Sequence, residues 1–448
     1  MRVTIGRSII KGSVSVPSSK SLTIRALVCA ALSAGESQII HPLVSDDTNA
    51  AAAVLTQLGT IIRKEDDVWK VSGGRFHVGS GDLDCGESAT TLRIMTAVCS
   101  LIPGHHRLVG GPSLSLRPIG SLIDSLVKLG VNASTEKLAL PPVIIEGGTF
   151  KGGLTEIPGN VSSQFITALL LISPFAPKGV GIKLTTPLTS KPYILMTLWC
   201  LKQFGISVSR EANKFLVVRQ RYRPASVKIE SDWSSASYFL ALGAISEEGV
   251  MVQNLNLSSL QGDRVILDLL RSMGAKVRVS GTDVTVSYGQ LKGIYADLSD
   301  CIDLLPTMAV LAALAKGVSE LSGIQRARIK ESNRVSAVRN GLVKLGVNVF
   351  EDINRLTITG LDAFKMTDDE GVGETLEDAP SAEEFFAGAS VEPAVLRSYE
   401  DHRIAMAFAV LGAALGNIAV SNAECVAKTF PTFWEEFQRV GGEIKVDE

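Results

Sequence analysis

The sequence predicts an α/β (α+β) protein of two globular domains, each built from three βαβαββ repeats with buried helices, and three observations lead there. A helical phrase closing on glycine recurs six times in the 448 residues: AVLTQLG to Gly59, SLVKLG to Gly130, LKQFG to Gly205, LLRSMG to Gly274, LVKLG to Gly346 and FQRVG to Gly441, at intervals of 71, 75, 69, 72 and 95. A second, more apolar helix in each repeat ends on its own glycine, at 35, 104, 179, 249, 317 and 416, with intervals of 69, 75, 70, 68 and 99. One period in two independent markers means one folding unit copied six times. Finally, the composition is ordinary for a globular chain, 46% hydrophobic and 20% charged, yet six units of about 70 residues exceed what one core holds, so two globules of three units are expected.

Each element has its own signal. The stretches SKSLTIRALVCAAL, ESATTLRIMTAV, SSQFITALLL, SSASYFLALGAI, PTMAVLAALA and HRIAMAFAVLGAAL are apolar nearly all round and are expected inside. The glycine-ended phrases are amphipathic and belong outside them, with Gly where a helix needs a left-handed residue just past its end. Alternating stretches such as RLTITG and KVRVSG read as half-buried strands. The break between globules is expected near RQRYRPAS (Arg219 to Ser226), which is basic and interrupted by Pro224; residues 16–225 then form a lower domain and 226–448 the main part of an upper one. The last interval is longer by about 24 residues, an insertion near 363–397 read as a loop with its own Glu/Phe patch.

Several function classes are excluded. Net charge is −2 from 44 basic and 46 acidic residues, which argues against a general nucleic-acid binder. Nine acidic residues and no Lys or Arg fall between Met366 and Leu396, so the remainder carries −2 + 9 = +7, a surplus that suits small, highly charged anions. Six scattered cysteines with no Cys-x-x-Cys pair suggest neither a zinc site nor a disulfide framework, and fit reduced thiols in a cytoplasm. The start MRVTIGRSIIKGSVSVP lacks a secretory apolar region, and no run approaches the roughly 18 apolar residues of a membrane span. Phosphate-loop, HExxH and GxSxG signatures are missing, and His105 and His106 read as surface loop residues after Gly104.

Charge at the helix starts carries the chemistry. Lys20, Ser21 and Arg25 lie in PSSKSLTIR, Arg93 in ESATTLR, Arg117 in SLSLRP, Ser162, Ser163 and Gln164 in VSSQ, Ser190 and Tyr193 in SKPY, Lys330 and Arg334 in IKESNR, Arg403 in DHR, and Lys428 and Thr429 in AKTFP. The helix macrodipole opposes a cation at an N-terminus, so such cations cost stability unless an anion sits among them. Arg25 is a full turn into an apolar helix, where a buried guanidinium needs a partner. If six units converge these starts on one cleft, it suits two polyanionic ligands. Glu331 and Asp303 are either caps and ion-pair partners or proton-transfer groups; Asp401 reads as a helix cap and orienting partner.

At PSSKSLTIRALVCAAL, VSSQFITALLL, SKPY, SDWSSASYFLALGAI, IKESNR, YEDHRIAMAFAV and AKTFPTFWEEF, the chain resembles the 5-enolpyruvylshikimate-3-phosphate synthase family of enolpyruvyl transferases, over essentially its whole length. The resemblance implies two inside-out α/β barrels with the active site in the interdomain cleft and residues 1–15 joined to the upper domain. It implies the reaction of phosphoenolpyruvate with shikimate 3-phosphate, by addition and elimination through a tetrahedral intermediate, on the route to chorismate and the aromatic amino acids. No metal or organic cofactor is implied, and a cytoplasmic monomer is expected, without nucleic-acid or membrane partners. Residue by residue, Arg25 and Ser21 are set against the shikimate carboxylate, Ser162, Ser163 and Ser190 cradle its phosphate, and Gln164 and Tyr193 flank the ring. Lys20 and Arg117 hold the phosphate of phosphoenolpyruvate, with Ala89 and Gln164 nearby, while Arg334, Arg403 and Lys428 hold its carboxylate. Glu331 resembles the proton donor to the methylene carbon and Asp303 the base at the 5-hydroxyl, assisted by Lys330; Lys20 stands where the two substrates meet.

The chain departs from the family pattern in places. An Asn-Ala-Gly-Thr phrase reads Glu87-Ser88-Ala89-Thr90 here, and the added methyl of Ala89 is expected to weaken glyphosate binding while phosphoenolpyruvate still fits. Glu87 brings a negative charge into a phosphate site, which argues against a ligand role. Asn333 stands where Asp is common, and Asp303, three residues before Pro306, is one of two family variants. Two other readings share the periodicity. A UDP-N-acetylglucosamine enolpyruvyl transferase commonly carries a cysteine in the second unit's loop, and no Cys lies between Cys99 and Cys200. A non-catalytic anion-binding repeat protein has no use for Glu331 amid cations.

Overall fold

The computed structural model describes residues 1–361 and 392–447. Among the described residues twenty-four strands form six four-stranded sheets, all of one pattern: a parallel pair, then two antiparallel neighbours. One compact unit comprises Pro17–Asp232 with Ser258–Gly262; the other comprises Met1–Val16, Trp233–Leu257 and Asp263–Glu448. Each unit holds three sheets.

A single repeat explains the rest. In the third, the strand Gly153–Ile157 leads into the helix Ser163–Ile172, and the strand Val180–Leu184 into the helix Lys191–Gln203; a hairpin of Ser209–Glu211 and Lys214–Val217 follows. This βαβαββ order recurs five times, with three exchanges of strand, one of them Gly12–Ser15, which pairs in parallel with Val250–Gln253 at the edge of the fourth repeat's sheet. The strand Ser226–Lys228 pairs in parallel with Gly35–Ile40, supplying the edge of the first repeat's sheet. In the last repeat Arg2–Ile5 lies between Ile418–Ser421 and Ile444–Asp447, with Val3 opposite both Val420 and Val446.

These pairings correct three expectations. The division falls at Asp232/Trp233 rather than at Arg219–Ser226, because Ser226–Lys228 is stitched into the first unit's sheet and Glu230 accepts hydrogen bonds from Ser259 and Gln261 of the excursion Ser258–Gly262. The insertion expected near 363–397 ends earlier, since Ala394–Arg397 is a regular strand beside Ile418–Ser421; its residues 363–391, Asp368 to Glu384 among them, lie outside the described residues. His105 and His106 sit on the strand Gly104–Val109, and His106 is buried, its Nε2 2.9 Å from the Ile102 carbonyl oxygen.

Helix placement follows composition. Trp233–Ala244 and Leu305–Leu314 are buried at every position. The outer helix Ile266–Met273 buries only Ile266, Leu267, Leu270 and Met273, one stripe of a helix with Asp268 and Arg271 facing water. All twelve repeat glycines have φ between 67° and 127°, a left-handed conformation that other residues adopt only at a cost. Among the described residues no helix is long and apolar enough to cross a membrane.

Candidate anion-binding and proton-transfer sites

In the unit Pro17–Asp232, Lys20 pairs with a carboxylate while Arg25 and Arg93 donate to neutral oxygens. Lys20 opens the helix Lys20–Leu32, and its Nζ lies 2.8 Å from Asp47 Oδ2. One turn on, Arg25 is 1% exposed. Its Nε donates to Thr197 Oγ1 at 2.9 Å, and the terminal nitrogens donate to the Ser21 carbonyl at 2.8 Å, the Tyr193 carbonyl at 3.4 Å and Thr167 Oγ1 at 3.5 Å. Among the described residues no carboxylate forms an ion pair with it. Burial therefore pulls this guanidinium below the ordinary arginine value. Burial pushes the neighbouring thiols the other way, Cys29 well up and Cys200 to about 12.

Serines and a second arginine stand at neighbouring helix starts. Ser162 caps the helix Ser163–Ile172 by accepting the Gln164 N–H at 3.3 Å. Arg93, in the helix Ala89–Cys99, donates to Gln164 Oε1 at 2.6 Å and to Ser162 Oγ at 3.4 Å, and lies 4.9 Å over the Phe165 ring. Gln164 in turn donates to Thr90 Oγ1 at 2.9 Å. Ser190 is buried, in a left-handed conformation at the start of Lys191–Gln203, and its carbonyl accepts the Tyr193 N–H at 3.1 Å. Ala89 is buried at the first position of its helix, after the cap Ser88. Arg117 is buried at the end of the short turn Leu114–Leu116.

The other unit gathers carboxylates around one arginine. Arg334, 1% exposed, begins the helix Arg334–Lys344, which Asn333 caps by accepting the Ser336 N–H. Its guanidinium donates to Asp303 Oδ1 at 2.7 Å, Glu331 Oε2 at 2.6 Å, Asp401 Oδ2 at 2.8 Å and Asp401 Oδ1 at 3.2 Å. Burial would lower this guanidinium, but Asp401, Glu331 and Asp303 outweigh it and hold it above the ordinary value. Asp303 also takes Lys330 Nζ at 3.3 Å and Arg403 at 3.5 Å. Asp401 caps the helix His402–Leu415 through the Arg403 N–H and accepts from Ser332 Oγ at 3.0 Å. Lys428 is buried at the end of the turn Ala423–Lys428, before Thr429.

Thus Asp303, Lys330, Glu331, Arg334 and Arg403 form one connected network, and Ser162, Gln164 and Arg93 another. Arg334 faces carboxylates of its own chain, where the sequence reading set it against a substrate carboxylate. Sequence reasoning also missed Asp47, a first-turn acid of the helix Asp46–Gln57, and Thr167 and Thr197. The two threonines did leave a signal: Thr167 interrupts the apolar run FITALLLI and Thr197 the run ILMTLWCL, and together they receive Arg25.

Six βαβαββ units with basic helix starts define a fold shared with the enolpyruvyl transferase NikO from Streptomyces tendae, at TM-score 0.73 and 17% identity over 99% of this chain and 98% of that one. Likeness becomes closer with EPSP synthase from Acinetobacter baumannii, at TM-score 0.78 and 26% identity over the whole of both chains. The family model described as EPSP synthase (3-phosphoshikimate 1-carboxyvinyltransferase) matches residues 5–437. The 3-phosphoshikimate 1-carboxyvinyltransferases of Dehalococcoides mccartyi and Methanocaldococcus jannaschii are 42% and 36% identical to this chain; the first match covers all of both proteins, the second 98% of this chain and 97% of its relative. The chain belongs to the EPSP synthase family.

Proposed function

We infer that this chain transfers the enolpyruvyl group of phosphoenolpyruvate to the 5-hydroxyl of shikimate 3-phosphate and releases inorganic phosphate, a step of aromatic amino acid biosynthesis. The observation that carries the chemistry is the pair Glu331 and Asp303, both held on Arg334 with Lys330 beside Asp303. Glu331 protonates the methylene carbon of the enol as the 5-hydroxyl oxygen bonds to the central carbon, and Asp303 takes the hydroxyl proton. The tetrahedral adduct then expels phosphate, a proton leaves the former methylene carbon, and the double bond re-forms. Each such proton transfer supplies about 10² to 10⁴ in rate.

The anions fall to the basic helix starts. Arg25, desolvated and met only by neutral oxygens, suits the shikimate carboxylate, with Ser21 beside it. Ser162, Ser163 and Ser190 suit its phosphate, and Gln164 and Tyr193 the ring. Lys20 and Arg117 take the phosphate of phosphoenolpyruvate beside Ala89, and Arg403 and Lys428 its carboxylate. Arg334 joins them only by exchanging one of its present carboxylates. Free cysteines, five of the six buried, fit a reducing cytoplasm; sedimentation tests the monomer carried with this reading.

A phosphate-release assay decides the reaction. Release is expected with both substrates together and to vanish when either is omitted. Release from phosphoenolpyruvate alone would overturn the reading, as would a preference for UDP-N-acetylglucosamine as acceptor.

A further inference from the structure

The segment between the strand Gly104–Val109 and the helix Gly120–Lys128 carries Arg117, and it is fastened by a residue the reaction does not use. Glu87 precedes Ser88, the cap of the helix Ala89–Cys99. Its Oε1 accepts the Ser113 N–H at 3.2 Å and its Oε2 the Leu114 N–H at 2.8 Å. Two successive backbone amides thus converge on one carboxylate, the concavity that elsewhere holds a bound anion. The approach depends on Gly111, where an added Cβ would lie 2.2 Å from Glu87 Oε1.

Backbone bonds continue the seam, from the Gly111 N–H to the Gly86 carbonyl at 2.9 Å and from the Cys85 N–H to the Val109 carbonyl at 3.0 Å. Ser115 Oγ folds back on the Gly111 carbonyl at 2.9 Å. The Arg117 N–H closes the turn on the Leu114 carbonyl at 3.0 Å. Glu87 therefore grips the residue against which the Arg117 backbone is set, and three links fix where this guanidinium starts.

We propose that Glu87 is a positioning residue for Arg117: its carboxylate fills the amide pair at Ser113 and Leu114, stiffens the turn Leu114–Leu116, and so sets the reach of Arg117 toward the phosphate of phosphoenolpyruvate. The phosphate assignment rests on the reaction inferred above. Glu87 then directs both of its oxygens to backbone donors of this segment. Its identity matters through its two oxygens: a glutamine offers one acceptor and turns N–H against N–H at the other amide.

The variants Glu87→Ala, Glu87→Gln, Gly111→Ala and the double variant Glu87→Ala/Gly111→Ala test this with two readouts. Amide hydrogen exchange reads the fastening itself: Glu87→Ala should speed exchange across residues 110–117 and leave the rest of the unit unchanged, and unchanged exchange there would overturn the proposal. Kinetics read its purpose. The KM for phosphoenolpyruvate should rise about ten-fold in Glu87→Ala and less in Glu87→Gln, with the KM for shikimate 3-phosphate moving less than about two-fold. Gly111→Ala should copy Glu87→Ala, and adding it to Glu87→Ala should change nothing more, since the Cβ then meets no carboxylate. Equal rises in both KM values, or a melting temperature that falls in step with them, would mean general loosening and refute positioning. Arg117→Ala separates the two layers: an unmoved KM for phosphoenolpyruvate in that variant sinks the ligand assignment, whereas faster exchange in Glu87→Ala still upholds the fastening.

Discussion

Arg25 and Arg334 are equally buried, each 1% exposed, and each stands in the first turn or two of a repeat helix, yet their surroundings are opposite. Hydroxyls and carbonyls receive Arg25; three carboxylates receive Arg334. Burial lowers the first guanidinium, while neighbouring charge holds the second up. A cation with only neutral partners is incompletely compensated for lost water, and an arriving anion completes it. A cation already saturated by its own chain instead aligns acids. The contrast sets two arginines apart: the surroundings of Arg25 leave room for an arriving anion, while those of Arg334 hold acids in place.

The largest effect should come from the acids. Glu331→Gln should lower kcat by about 10² to 10⁴ while substrate dissociation constants change far less, as measured by rapid quench and calorimetry. A kcat near the parent's would return Glu331 to the status of an ion-pair partner. Next, Arg25→Met should weaken shikimate 3-phosphate binding by roughly ten- to a hundred-fold, the loss of a charge-assisted hydrogen bond or two, without lowering the melting temperature of the ligand-free protein. Asp401→Asn should do the reverse for stability, costing about 3 kcal/mol and several degrees of melting temperature, because Arg334 stays buried with a partner gone. Equal thermal behaviour of these two variants would break the comparison.

Smaller effects sharpen it. Ala89→Gly should increase glyphosate inhibition by about ten-fold or more, the scale of one methyl in a closed pocket, with a lesser change for phosphoenolpyruvate; equal sensitivity before and after would refute a steric role. Cys200, its thiol pushed up to about 12 by the same dry surroundings as Arg25, should resist iodoacetamide at pH 8 in the native protein and react after denaturation, as read by mass spectrometry.

Legibility followed periodicity. Both glycine series, the buried and outer helices and the strand RLTITG could be read because short-range pattern and fold agree in them, whereas KVRVSG is a strand at a sheet edge with no buried position, against the half-burial its alternation predicts. Strand exchange could not: Ser226–Lys228 resembles any short apolar-polar strand, and only its partner Gly35–Ile40, nearly two hundred residues away, decides which unit owns it. In the site, residue types were legible and partnerships were not. Nothing in IKESNR says that Arg334 donates to Asp303 and Asp401 as well as to Glu331, and nothing in ESATTLR says that Glu87 faces Ser113 and Leu114. Such contacts arise where segments distant in sequence meet, and spacing carries no information about them.

The strand Arg2–Ile5 has a consequence for how this chain is made. Its neighbours, Ile418–Ser421 and Ile444–Asp447, follow it by more than four hundred residues, so this strand waits with both edges open until they are made. The three sheets of Pro17–Asp232 draw on no later strand and are free to close during that wait. Synthesis and assembly should thus be out of step: Pro17–Asp232 matures before the sheet of Arg2–Ile5, and a truncation before Ile418 should leave that strand without either neighbour.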